Sequence, residues 1–347
     1  MSRRSTWPIA TLVLAALAAC TDPSAPVPTP IDTRGAAVVV ARQGDRLATI
    51  EHEGYFPALY LQDPDGKSRV RVRFTNVHDP IDGNYPAALL PVDDAHILAL
   101  GPAKWSPDGQ QLAIVVTLAY DQSQVVVMNA DGRNIRTASP NSQIILGDID
   151  WAPDSRSIAY AMSTLPNAGG VDLFVTDLTR DAVVRLTNGG RIGVFDEYRF
   201  DAEGTGLWMT QYEGRSEDEV NRVSRVYHVA LDGTKVGVPE KIVGNAQGIT
   251  RDGRFAIVLR HVRDDDMTSE FARVSLTGRD EEVLLARGDL QYAELLEGDD
   301  AAILVGANRE TGMQGFNVLG IHERRDDRGM LHVSPNVASL AYLRASR

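Results

Sequence analysis

The chain has very little cysteine, few aromatic residues and no long hydrophobic run. Aromatic residues make up 6% of the sequence. This low share disfavours a dedicated carbohydrate-binding surface, because such surfaces normally present stacked rings. The longest apolar stretch, from Ile9 to Ala19, is too short to span a bilayer. Long stretches with helical periodicity are also missing, which excludes a helical solenoid.

Several motifs that carry chemistry are absent. The sequence has no Gly-x-Ser-x-Gly nucleophile elbow and no phosphate-binding glycine loop followed by Lys-Ser/Thr. The histidines show neither helical nor zinc-finger spacing, so we expect no metal site and no cofactor. Those histidines are His52, His78, His96, His228, His261, His322 and His332.

The charge of the chain is strongly negative, with a formal net charge of −12. Such a surface repels phosphate backbones, so nucleic acid is not an expected partner. The other proportions, 43% hydrophobic and 24% charged residues, are those of a globular protein.

The N-terminal residues have the pattern of an export signal. Arg3 and Arg4 give a positive start, and Leu17-Ala18-Ala19-Cys20 after the apolar stretch resembles the bacterial lipobox. That resemblance implies that 1–19 is a lipoprotein signal peptide and that Cys20, the only cysteine, receives the lipid anchor. An ordinary secretory leader, with Cys20 near its cleavage site by chance, is the alternative.

A proline-rich tether is expected to follow the lipidated cysteine, over 20–35. Four prolines between Pro23 and Pro30 favour an extended conformation. By resemblance to proteobacterial sorting rules, Thr21 after the cysteine implies an outer-membrane location facing the periplasm or the cell surface. If the host has no outer membrane, lipid anchoring at the cell envelope is the expectation that remains.

A repeated phrase organises the rest of the chain, over 36–347. Trp105-Ser106-Pro107-Asp108-Gly109 returns as Trp151-Ala152-Pro153-Asp154-Ser155 and as Phe200-Asp201-Ala202-Glu203-Gly204, each time before an apolar run. Weaker copies begin at Ile249 and Leu296. The first residues of successive copies, called anchors below, are spaced by roughly 46, 49, 49 and 47 residues, which is the interval of a four-stranded propeller blade.

Each copy predicts four strands, because a second pair of apolar runs and a turn signal such as Asp131-Gly132 follow the anchor. With an earlier anchor at Val40, the sequence predicts an all-β propeller of six blades. Leu340-Ala341-Tyr342-Leu343 is expected to pair with the first blade and close the ring. A seventh, incomplete blade is the alternative. In the phrase, Trp fills space between blades, while Asp and Gly form the turn.

The phrase resembles the WD40-like (PD40) repeat of the TolB family over about 36–347. The family resemblance implies a non-enzymatic propeller that binds other proteins of the cell envelope through its faces. The partner itself is not identified by the sequence. One alternative is a propeller enzyme, such as a metal-dependent polysaccharide lyase. Another is a sensory module that binds a small molecule or glycan.

Four residues lie just before successive anchors, where the innermost strand approaches a central channel: Asp148, Glu197, Gln247 and Tyr292. This placement predicts a channel mouth that binds a cation, a basic peptide or a sugar. A hydrated acidic rim without a ligand is the alternative.

An insertion over Asn76 to Gly101 makes the first repeat about 65 residues long, and long loops of this kind often carry function. The candidate contact residues in this insertion are His78, Asp82, Tyr85 and His96.

Overall fold

The structure is a computed structural model, and its described residues form β-strands and turns without any helix. No helix in that part of the chain is therefore long and apolar enough to cross a membrane. The described residues are 46–53, 56–63, 68–75, 94, 96–119, 122–140, 144–163, 171–188, 197–212, 223–262, 265–278, 281–287, 290–295, 301–307, 314–320, 329–330 and 337–343.

The strands of the described residues, numbered in chain order, form six antiparallel sheets of four strands each. Sheet 1 contains β1 (Arg46–Glu53), β2 (Phe56–Gln62), β3 (Val70–Arg71) and β24 (Val337–Leu343). Sheet 2 contains β4 (Ala99–Trp105), β5 (Gln111–Ala119), β6 (Gln122–Asn129) and β7 (Arg136–Thr137). Sheet 3 contains β8 (Ile145–Trp151), β9 (Ser157–Ser163), β10 (Val171–Asp177) and β11 (Ala182–Arg185).

The remaining three sheets follow the same order along the chain. Sheet 4 contains β12 (Tyr198–Phe200), β13 (Gly206–Tyr212), β14 (Val223–Ala230) and β15 (Lys235–Val243). Sheet 5 contains β16 (Asn245–Ile249), β17 (Phe255–Val262), β18 (Asp265–Ser275) and β19 (Glu281–Arg287). Sheet 6 contains β20 (Leu290–Leu295), β21 (Ala301–Ala307), β22 (Gln314–Gly320) and β23 (Gly329–Met330).

The C-terminal strand closes sheet 1. β24 pairs with β1 in antiparallel register, with Leu47 opposite Tyr342 and Thr49 opposite Leu340. This is the pairing predicted for the last apolar run of the sequence. The run that suggested a seventh, incomplete blade pairs within sheet 1, and the described strands form six sheets. The number of blades stays a prediction.

The hydrophobic core lies between consecutive sheets, and the anchors fill it. Trp105 packs with residues of sheets 1 and 2, Trp151 with sheets 2 and 3, Phe200 with sheets 3 and 4, and Ile249 with sheets 4 and 5. Trp151 is fully buried, and its indole N–H donates to the carbonyl oxygen of Lys104 in sheet 2 at 3.0 Å. The predicted packing role is confirmed for these four anchors, each of which joins its own sheet to the preceding one. The anchors Val40 and Leu296 lie outside the described residues.

The Asp of the repeated phrase forms the turn that follows the anchor, between β4 and β5 in sheet 2 and between β8 and β9 in sheet 3. Asp108 Oδ1 accepts hydrogen bonds from the Ser106 hydroxyl at 2.6 Å and from the backbone N–H of Gln110 at 3.0 Å. Gly109 has a φ of 68°, and Ser155 holds the same left-handed position with a φ of 61°. The carboxylate and the left-handed residue therefore act as turn formers, as the sequence predicts.

The insertion predicted over Asn76 to Gly101 ends earlier in the structure than in the sequence analysis. Ala99 and Leu100 pair with Thr117 and Val116, so the last residues of the predicted segment belong to β4. These two residues lie at the N-terminal end of β4, before the part of the strand where the apolar pattern is regular. Asp94 accepts a hydrogen bond from the backbone N–H of Phe74 at 3.0 Å, which ties the two ends of the intervening segment together.

Candidate functional site

One edge strand of each sheet contacts the corresponding edge strand of a neighbouring sheet. We call β24, β4, β8, β12, β16 and β20 the inner strands, because they contact one another in this order. A polar pocket opens on four of them. This inner-strand pocket is lined by Lys104, Asp148, Glu197, Tyr198, Arg199, Gln247, Gly248 and Ile249.

The inner-strand pocket is small, with a cavity volume of about 20 Å³. Such a volume gives room for about one water molecule. A whole sugar ring does not fit in it. The pocket suits a water molecule or the tip of a group that a partner inserts from outside.

β-Bulges on the inner strands shape the pocket. In β8 the pairing with β9 shifts between Leu146 and Ile149, so Gly147 and Asp148 are extra residues. In β16 the extra residue is Gln247. Because a bulge re-aims a side chain and interrupts regular pairing, it turns Asp148 and Gln247 away from the alternation of their strands.

Three other inner strands also contain a bulge. β4 has one at Gly101 and Pro102, β20 has one at Gln291, and β24 has one at Ala338. In sheet 6, the extra residue is therefore Gln291 and not its neighbour Tyr292.

An ion-pair network fills one side of the pocket. The ammonium group of Lys104 pairs with the carboxylate of Asp148, and it lies 4.0 Å from Asp150 Oδ1. The side chains of Lys104 and Asp148 are only 16% and 18% exposed, so this pair is screened little by solvent. Asp150 is buried and also accepts the backbone N–H of Phe200 at 2.8 Å.

Tyr198 stands behind this network. Its hydroxyl accepts the backbone N–H of Ala161 at 2.9 Å and donates to the carbonyl oxygen of Asp148. Burial raises the pKa of Tyr198 well above its ordinary value, and the nearby Asp148 carboxylate raises it further. The phenol therefore stays protonated and keeps its role as a donor.

Sheets 4 and 5 supply the rest of the polar lining. Glu197 precedes β12 and is half-buried, and its backbone N–H donates to the hydroxyl of Thr210 at 2.9 Å. Arg199 and Gln247 are both buried, each with 6% exposure. The pocket therefore combines two cations, two carboxylates and one carboxamide from four sheets.

Three of the four predicted channel-mouth residues, Asp148, Glu197 and Gln247, come together in this pocket. Tyr292 lies on β20, and its side chain is outside the described residues.

The insertion candidates and the lipidation site lie mostly beyond the described part of the chain. His96 is half-buried and lies shortly before β4. His78, Asp82 and Tyr85 are outside the described residues, as is Cys20.

Lys104 and Arg199 were missed by the sequence analysis. Each stands directly before an anchor, Trp105 or Phe200, as Asp150 does before Trp151. The position directly before an anchor is the sequence feature that could have identified Lys104 and Arg199.

The histidines that the structure describes do not line this pocket. His228 lies on β14, as its apolar neighbours predict, and its Nε2 is 2.8 Å from Asp201 Oδ2. Its ring meets the Trp208 ring edge-on, with 4.8 Å between the ring centroids. Within the described ranges, no three His, Cys, Asp or Glu side chains form a group that could hold a metal ion.

Comparison with known proteins supports the fold. The sequence matches no protein-family model and no curated protein. The structure is similar to TolB from Acinetobacter baumannii, with a TM-score of 0.61 and 15% identity over 86% of this chain. This chain spans 66% of the length of that protein. The tricorn protease is also similar, with a TM-score of 0.51 and 10% identity, over 92% of this chain and 36% of the protease.

Proposed function

We propose that this TolB-like β-propeller is a membrane-anchored lipoprotein of the bacterial cell envelope that binds another envelope protein at the inner-strand pocket. It acts as a scaffold without an enzymatic activity of its own. The observation that supports the proposal is the convergence of Lys104, Asp148, Glu197, Arg199 and Gln247, from four sheets, on one pocket.

The chemistry of the pocket fits recognition of a partner's surface group. Both signs of charge are present, and Lys104 and Asp148 already neutralise each other. The small cavity admits only the tip of a side chain or a backbone group. Polar groups that fix orientation at such a place give specificity, while the surrounding surface supplies contact area.

The lipid on Cys20 is proposed to hold the propeller at the membrane, with the proline-rich segment over 20–35 as a tether. Thr21 after the cysteine supports delivery to the outer membrane. Replacement Cys20→Ala is expected to release the protein from membranes upon fractionation. Unchanged membrane association of Cys20→Ala contradicts lipid anchoring.

Chemical crosslinking in the native envelope, followed by mass spectrometry, tests the scaffold. We expect one defined envelope protein joined to the propeller, and we expect its yield to fall several-fold in Glu197→Gln. The matched control Glu203→Gln changes an exposed residue in the turn that follows β12. Turnover of a glycan by the purified protein, without a captured protein, contradicts the proposal and favours the enzymatic alternative.

A further inference from the structure

We propose that Tyr198 is a positioning residue for the inner-strand pocket: its hydroxyl bridges β8 and β9 at the bulge and so fixes the direction of the Asp148 carboxylate. This inference rests on the proposed function of the pocket. It concerns a residue that lines the pocket but is almost wholly buried, with 5% exposure.

The bulge creates the need for such a bridge. Leu146 pairs with Ala161, and the next regular pair joins Ile149 to Tyr160, so two residues of β8 face an interruption in the ladder. Backbone groups beside an interruption of this kind need other partners when they are buried. Asp148 is one of these two residues.

The Tyr198 hydroxyl meets that need from the neighbouring sheet. It accepts the N–H of Ala161 on β9 at 2.9 Å and donates to the carbonyl oxygen of Asp148 on β8, fifty positions earlier. One oxygen atom of sheet 4 therefore bonds to both β8 and β9 of sheet 3 at the point where their register shifts.

The bridge acts on the carboxylate through the backbone. Asp148 has its main chain fixed by Tyr198, and its Oδ1 accepts the backbone N–H of Ile149 at 2.8 Å. Its other oxygen, Oδ2, then pairs with the Lys104 ammonium group. Without the hydroxyl, the bulge loses the bond that sets this direction, and the pair with Lys104 weakens.

A double-mutant cycle tests the inference without a partner. Lys104→Met removes the cation, and Tyr198→Phe removes only the bridging hydroxyl. We expect the loss of stability caused by Lys104→Met to be at least halved in the Tyr198→Phe background. Coupling of this kind is typical of residues that share a hydrogen-bond or salt-bridge network.

Tyr160→Phe is the matched control. Tyr160 lies fully buried on β9 of sheet 3, and its hydroxyl bonds to the Thr176 hydroxyl at 3.1 Å. We expect Lys104→Met to lower the stability of the Tyr160→Phe variant by the same amount as it lowers that of the parent protein. Equal costs of Lys104→Met in all three backgrounds overturn the inference.

A measurement on the parent protein covers the case in which Tyr198→Phe does not fold. We expect the Tyr198 hydroxyl proton to exchange slowly in NMR spectra and to show a cross-peak to the Ala161 amide proton. A rapidly exchanging hydroxyl without this cross-peak overturns the inference. Absence of a captured envelope protein, with coupling intact in the cycle, contradicts the proposed function but leaves the positioning role established.

Discussion

Arg251 donates a hydrogen bond from Nη2 to the carbonyl oxygen of Trp151 at 3.0 Å, although the two residues lie one hundred positions apart. Its Nη1 donates to the carbonyl oxygen of Phe200 at 3.2 Å and lies 3.5 Å from Asp150 Oδ2. The guanidinium group therefore joins the ends of the inner strands of sheets 3, 4 and 5. In the first two copies of the phrase, proline stands at this position.

We predict that Arg251→Met lowers the free energy of unfolding by about 3 kcal/mol, because it removes one partner of a buried ion pair and leaves backbone carbonyl groups without donors. Chemical denaturation of both proteins measures the difference. Arg254→Met is the control, since Arg254 is exposed in the same turn, and we expect a change within about 0.5 kcal/mol. Equal effects of the two substitutions show that Arg251 does not join the sheets.

Two glycines in equivalent turns are predicted to differ in their tolerance of a side chain. Gly204 and Gly253 both have positive φ values, of 71° and 66°. A Cβ atom at Gly204 meets Pro153 at 3.5 Å, whereas a Cβ atom at Gly253 lies 2.1 Å from the Trp208 ring. The indole is held in place by its hydrogen bond to the carbonyl oxygen of Arg251 at 3.1 Å.

We therefore expect Gly204→Ala to lower the free energy of unfolding by about 1 to 2 kcal/mol, because alanine is strained in the left-handed conformation. Gly253→Ala adds a steric clash and costs about 2 kcal/mol more. Thermal unfolding of the two variants gives the comparison. If both variants have the same melting temperature, Trp208 is not packed against the turn that contains Gly253.

Ser224→Ala is predicted to leave stability unchanged or raise it by up to about 1 kcal/mol. Ser224 is fully buried on β14, and its hydroxyl oxygen has no hydrogen-bond partner in the part of the chain that the structure describes. Ser123→Ala is the contrast, because Ser123 Oγ accepts the backbone N–H of Ile145 at 2.6 Å. We expect Ser123→Ala to lower the free energy of unfolding by about 1 to 2 kcal/mol in a denaturation experiment. A larger loss for Ser224→Ala than for Ser123→Ala contradicts this assignment.

The Arg260–Glu281 pair predicts a stability difference that depends on pH. A hydrogen bond from Arg260 holds the pKa of Glu281 below its ordinary value of 4.5. A carboxyl with a lowered pKa in the folded state adds stability above its unfolded pKa and loses it as the pH falls through the folded pKa. We expect Glu281→Gln to be slightly less stable than the parent at pH 7, with the difference vanishing in acid well below pH 4.5. Urea denaturation at several pH values checks this, and a constant difference contradicts it.

Much of the fold could be predicted because its signals are local. The anchors Trp105, Trp151 and Phe200 are followed by turn residues and apolar runs, and each feature depends on neighbours in sequence. The closing strand β24 was also recognisable, since its apolar run at the end of the chain lacks a hairpin partner of its own. Asp148 and Glu197 were found from their distance to the anchors.

The bridges between sheets could not be predicted in the same way. Tyr198 and Asp148 are fifty positions apart, and their contact exists because a bulge interrupts β8. Arg251 occupies a turn position where an exposed charge is the ordinary expectation. Its burial follows from the way three sheets meet, which no periodic pattern records.

The most direct test of the central claim is site-specific photocrosslinking in the native envelope. A photoreactive amino acid at position 197 reports on the inner-strand pocket, and one at position 203 reports on the turn that follows β12. We predict a defined crosslinked envelope protein from position 197 only, lost when Asp148→Asn is added to the same chain. Equal capture from both positions, or none from position 197, contradicts partner binding at this pocket.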